Sequence, residues 1–154
     1  MTINRIRIAK DKAELVQALV DKQGSTGPFQ TYADVMVFAA TYGAKSQKRV
    51  PLNVISKEPA PISLEIFISR GYDTIIKLLA ISETNDPKIL SAYQPEAEAK
   101  RIHIFEEYAN GGLEKLREEL RGTVDYTERI LLILSLEKLP HSLENEEFDL
   151  SRFL

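Results

Sequence analysis

The sequence predicts a mainly α-helical fold: a compact multi-helix domain with one or two short N-terminal strands. Three observations predict it. Apolar residues recur at helical spacing through most of the chain. Capping residues, prolines and glycines punctuate those stretches. Asn4–Ile8 alternates with the two-residue period of a strand, placing Arg5 and Arg7 on one face and Ile6 and Ile8 on the other. At 154 residues, 44% of them hydrophobic, the chain can bury a real core.

The elements follow in order. Asp11 stands three residues before Glu14, a capping-box spacing, and Leu15, Val16, Leu19 and Val20 predict an amphipathic helix over 12–22. Gln23–Gln30 holds two glycines and a proline and is expected to be a loop. Thr31 with Asp34 predicts the next helix start. The apolar run that follows should be largely buried and stop near Gly43. AKSQKR (44–49) then reads as an exposed basic loop, and 50–62, with three prolines, as an extended crossing with a short strand at Leu52–Ile55. Residues 63–70 fit strand or helix; the helical neighbours favour helix. Asp73 is expected to cap a helix through TIIKLLAIS, and Asp86-Pro87 to start a short one. Gln94-Pro95 should start another, which Gly111-Gly112 interrupts and Gly122 ends. Asp125 should cap a strongly apolar, central helix closed by Pro140, with Ile130, Leu131, Ile133 and Leu134 in the core. Residues 1–140 thus form a single helical domain, and 141–154 an acidic tail, disordered or lying on a partner.

Composition excludes several chemistries. The absence of cysteine rules out disulfides, thiolate zinc sites and cysteine nucleophiles. With only His103 and His141, a multi-histidine metal site within one chain is not expected. No apolar run approaches the roughly 18 residues of a membrane span. No apolar block follows the basic residues of the N-terminus, so no secretory signal is read there, and a cytoplasmic protein is expected. The charge is uneven. Residues 1–50 carry eight basic and four acidic groups, a net +4, within a chain whose net charge is −3. The rest is therefore −7. A basic end suggests an anionic partner, although charge runs are often only solvated faces.

Few motifs survive inspection. Gly43-Ala44-Lys45-Ser46 lacks the glycines of a phosphate loop and follows a helix rather than a strand. His103, Glu106 and Glu107 share one helical turn, but a di-metal bundle needs Glu-x-x-His on two helices, so a salt-linked surface is the plainer reading. No G-x-S-x-G places a serine near a base. The order strand, helix, loop, helix matches ribbon-helix-helix DNA binders, in which strands of two chains pair and enter a groove. Arg5 and Arg7 would face the bases, and Thr31 would hold a phosphate at a helix N-terminus. An edge strand packed in a monomeric core is the plain alternative.

DVMVFAATYGAKSQKRVPL (34–52) and IFEEYANGGLEKL (104–116), with RIRIAKDKAELVQALV at the start and IIKLLAI in the middle, resemble the small bacterial proteins called DNA phosphorothioation-associated protein four, or Dnd-system-associated protein four. The likeness spans roughly residues 5–137. It implies a bacterial accessory protein acting near DNA in which sulfur replaces a phosphate oxygen, or in its restriction. It supplies no catalytic residues. The resulting expectation is a non-enzymatic accessory protein, without metal or other cofactor, that binds DNA or a partner subunit of the phosphorothioation system. Arg5, Arg7, Thr31, Lys45, Lys48 and Arg49 are the candidate DNA contacts. The alternative is a pure protein-interaction subunit, and a third reading is a hydrolase using the His103/Glu106/Glu107 face. A homo-oligomer stays open, and no membrane association is expected.

Overall fold

Helices carry most of the chain in a computed structural model that describes residues 4–22 and 25–146, the side chains of 25–26 and 137–146 excepted. The mainly α class is as expected. The chain divides into two compact units, one ending at Arg121 and the other beginning at Gly122.

The first unit opens with β1 (Arg5–Ile6), a 3₁₀ turn (Lys10–Lys12) and α1 (Ala13–Ala18). β2 (Asp21–Lys22) and β3 (Ser25–Thr26) pair antiparallel, and α2 spans Tyr32–Lys45. β4 (Ile62–Ser63) pairs antiparallel with β1, with Ile6 opposite Ile62. Then come α3 (Leu64–Ser69), α4 (Asp73–Thr84), a 3₁₀ turn (Pro87–Leu90) and α5 (Pro95–Leu120). Ile6 and Ile8 are fully buried while Arg5 and Arg7 are exposed, as the alternation predicts.

The core of this unit is the crossing of α2 and α5. α2 begins where predicted: the Thr31 hydroxyl accepts from Asp34 N and the Asp34 carboxylate accepts from Thr31 N, both at 3.2 Å, a complete capping box. Val35, Met36, Ala39 and Ala40 then face inward, against Phe105, Ala109, Leu113 and Leu116 of a largely buried α5. Phe67 of α3 meets Phe105 edge-on at 5.6 Å, a geometry worth about 1 kcal/mol beyond burial.

Gly122, with φ 77°, does follow the end of α5, but two other expected glycine breaks instead bring helices together. Gly43 lies inside α2, and Gly111-Gly112 inside an unbroken α5. A Cβ on Gly112 would stand 1.8 Å from the Ala39 carbonyl oxygen, and one on Gly43 2.1 Å from that of Tyr108. A Cβ on Gly111 would lie 2.0 Å from Lys48 O. The two backbones touch where side chains would have held them apart. The chain turns after α2 at Gln47, which takes the left-handed conformation itself (φ 54°).

Other boundaries move for local reasons. The predicted 12–22 helix is only 13–18, entered without a side-chain cap from Asp11, because β2 takes 21–22. Part of the 23–30 loop is β3, with 23–24 outside the described residues. Leu52–Ile55 forms no strand, only a single bridge from Ile55 to Ala9. Residues 64–69 are helical, as favoured. Asp73 is not the cap of α4 but its first residue, paired with Lys77 at 3.3 Å. Asp86 does cap, accepting from Lys88 N at 3.0 Å, but its helix is a 3₁₀ turn.

The second unit is described by α6 (Tyr126–Glu146), which Asp125 caps by accepting from Glu128 N at 3.1 Å. It runs through Pro140 rather than closing there, so 141–146 are helical; 147–154 lie outside the described residues. Ile130 and Ile133 are buried, but Leu131 and Leu134, expected in the core, are 60% and 44% exposed. Leu132 and Leu136 are also exposed.

Candidate functional site

The six candidate contact residues fall into three settings. Lys48 and Arg49 follow α2, where Lys48 N donates to Gly43 O and Val50 N to Glu107 O, fixing the turn against α5. Arg49 is thereby committed to acids. Its Nε donates to Glu107 Oε1 at 2.7 Å and its Nη1 to Glu83 Oε1 at 2.8 Å. Tyr108 OH donates to Glu83 as well. That bond and the Arg49 charge hold the Glu83 carboxyl below its ordinary range. His103 Nε2 lies 3.4 Å from Glu107 Oε2. Lys48 Nζ faces Glu114 Oε1 at 3.9 Å. Lys45, in the last turn of α2, is exposed.

Arg5 lies on β1 and Arg7 just after it. Arg7 is drawn to α5: its Nε and Nη2 donate to the two oxygens of Glu106 at 3.0 and 3.1 Å, and its backbone N donates to Oε2 at 2.6 Å. Glu106 is only 2% exposed, so the bidentate arginine compensates a buried carboxylate. The strand that could have paired with a second chain pairs with β4 of its own.

Thr31 stands alone at the far end of α2, roughly 20 Å from Lys45 at 1.5 Å per residue. Asp34 already lies at this helix N-terminus, where Arg70 Nη2 (3.0 Å) and Tyr72 OH (2.5 Å) donate to it. Desolvation alone would raise its pKa; the bonds from Tyr72 and Thr31 and the charge of Arg70 outweigh that and lower it.

The structure therefore brings Arg7, Lys48 and Arg49 together along α5, each opposite a glutamate, and leaves Thr31 apart. The His103/Glu106/Glu107 set is not the salt-linked surface expected: Glu106 and Glu107 are buried carboxylates paired with Arg7 and Arg49, and His103 is exposed. No group of three or more His, Asp or Glu side chains is placed to hold a metal among the described residues.

Sequence reasoning missed a second feature. Lys12, expected only as the start of the 12–22 helix, is buried: its Nζ donates to Asp11 Oδ2 and Asn110 Oδ1, both at 2.9 Å. The Asn110 amide in turn donates to Val50 O and Pro51 O at 3.2 Å. Lys12 lines a cavity of about 430 Å³ together with Asn53, Val54 and Arg117. A lysine one residue ahead of a helix carries no sequence signal of burial. A cavity of about 510 Å³ lies beside Arg49, where Lys88 and Lys100 face Asp86 and Glu96 with no excess of either sign.

The third feature is α6, whose apolar side chains at 131, 132, 134 and 136 are 44–60% exposed. No helix among the described residues is long and apolar enough to cross a membrane. No curated protein and no solved structure matches the chain. The model of one family, described as DNA sulphur modification system-associated protein 4, matches residues 5–153, and the chain belongs to that family.

Proposed function

We propose that this protein is a non-enzymatic accessory component of a DNA sulphur-modification system, and that it works by holding another protein of that system on the leucine face of α6. One observation carries the reading. Leu131, Leu132, Leu134 and Leu136 project around a helix that is apolar over more than one face, and all four stay exposed. Such a patch on one helix suits an interaction surface, because covering it returns about 25 cal/mol per Å². Family membership supports looking for the partner among proteins of the same modification system. The cations that would serve DNA support the same choice. Arg7 and Arg49 are already hydrogen-bonded to carboxylates.

The test is co-expression with the other proteins of the host's DNA sulphur-modification system, followed by affinity purification. The wild-type chain should retain one of them in stoichiometric amount in high salt, and a Leu132→Glu/Leu136→Glu variant should lose it. A Lys45→Ala/Lys48→Ala/Arg49→Ala variant should retain it. The reverse pattern, with salt-sensitive retention lost on removing the cations, would transfer the role to the basic turn and to DNA, since phosphate contacts release counterions.

A further inference from the structure

Side chains three or four positions apart on a helix stand one above the other. The middle of α6 holds three such apolar pairs: Ile130 with Ile133, Leu131 with Leu134, and Leu132 with Leu136. At 3.6 residues per turn, successive side chains lie about 100° apart, so the three pairs divide the circumference of the helix into rough thirds. The isoleucine pair is buried, while both leucine pairs are exposed. A helix that is apolar all round is ordinarily an interior helix. Two of the three apolar stripes of α6 are bare.

The strip between the two leucine pairs has its own character. Ser135 and Glu128 lie on it, both exposed. Ser135 is small, and its Oγ donates back to Leu131 O at 2.8 Å, so the strip is low there. Glu128 has its backbone N on Asp125 Oδ1, and its carboxylate has no ion pair among the described residues. With exposed Asp125 at the helix start, this end of the strip is negative.

A second α6 does not suit this pattern. Two helices packed side by side share one seam, so another copy would cover one leucine pair and leave the other in water. A flat surface would do the same. Covering both pairs takes two walls, one on either side of the strip.

Resting on the reading of α6 as the element that holds a partner, we propose that α6 is the inserted member of a helix-in-groove contact. The partner protein supplies a groove with two apolar walls, one for Leu131 and Leu134 and one for Leu132 and Leu136. A basic side chain on the groove floor meets Glu128.

The chain has no cysteine, so a single introduced cysteine reports one position. Leu131→Cys and Leu132→Cys variants of the full chain, one for each stripe, are labelled with a fluorophore. The purified proteins of the host's DNA sulphur-modification system are added one at a time, and quenching by acrylamide is measured. One of them should lower the quenching about threefold at both positions, because the core of an interface excludes solvent. Unlabelled Leu131→Glu/Leu134→Glu and Leu132→Glu/Leu136→Glu variants, checked for folding by circular dichroism, should each compete for that protein roughly tenfold more weakly than the wild type. Glu128→Gln should compete about threefold more weakly in low salt and as the wild type does in high salt, as an ion pair near the surface requires. Protection at one position alone, or one double variant competing as the wild type does, would make the contact one-sided and overturn the groove while leaving α6 as the docking element. Full competition by Glu128→Gln in low salt would overturn the basic floor. Protection that rises with the concentration of the chain alone would put a second copy on α6 and overturn the proposal. No protection at either position by any of these proteins would overturn the reading of α6 itself.

Discussion

α5 and α6 invert what their compositions suggest. α5 carries charged residues throughout and two consecutive glycines, yet fourteen of its residues are buried and the first unit packs around it. α6 contains the run ILLILSL, yet four of its leucines are exposed. The difference lies in what each helix is given to pack against. α5 has glycines that admit the α2 backbone, and arginines just after β1 and in the turn after α2 that neutralise its inward carboxylates. α6 carries apolar residues on more than one side. Apolarity thus reports the need for a partner, while burial depends on shape and on compensated charge.

That contrast can be broken most sharply at the glycines. Gly112→Ala places a methyl group on the Ala39 carbonyl and should cost about 3 kcal/mol in urea unfolding, with the helices forced apart. Gly71→Ala, where open space surrounds a φ of 79°, should cost only about 1 kcal/mol of backbone strain. Equal losses at the two positions would mean that the seam is not the core. Next, Glu106→Ala should cost about 2 kcal/mol, because the backbone N of Arg7 loses its acceptor and the arginine its buried partner.

Acid should act on the first unit in a defined direction. Asp34 and Glu83 both have folded pKa values below their ordinary range. Their contribution is present above the unfolded carboxylate range and is lost as pH falls through the lowered folded values. Unfolding midpoints measured from pH 7 downward should drop there. Asp34→Asn should flatten that drop and cost about 1 kcal/mol at neutral pH through the weakened cap and ion pair. The smallest effect belongs to α6. Leu132→Glu should change the stability of the isolated chain by less than about 0.5 kcal/mol, since the side chain is already 47% exposed, while abolishing retention of the partner. A large loss of stability would show the leucine to be core after all.

Signals written in adjacent residues were legible in the sequence. Thr31 with Asp34, Asp86 before Pro87, and Asp125 before α6 each mark a helix start that the hydrogen bonds bear out. The alternation of Ile6 and Ile8 with Arg5 and Arg7 reads correctly for the same reason. Features that depend on distant residues were not legible. A glycine that ends a helix and one that admits another helix look alike until the partner is known, so Gly43 and Gly111-Gly112 read as breaks. Lys12 is buried by Asn110, 98 positions away, and no local period announces that. The basic run near α2 was visible, but the carboxylates at 83, 107 and 114 that engage it lie on other elements. Its charge is real; its availability is a property of the fold.

The seam between Gly43 and Gly112 also bears on how the molecule is made. These residues are 69 positions apart, so their contact closes a long loop, and its entropy is lost before the packing rewards it. Backbone contact of this kind tolerates no half-docked geometry, because a small displacement either clashes or opens a gap. α2 and α5 must therefore arrive together. Nearly the whole first unit, including the segments that lie between them, should gain its structure in one late step. The deepest amides of α5 should then exchange their hydrogens only when that unit opens as a whole.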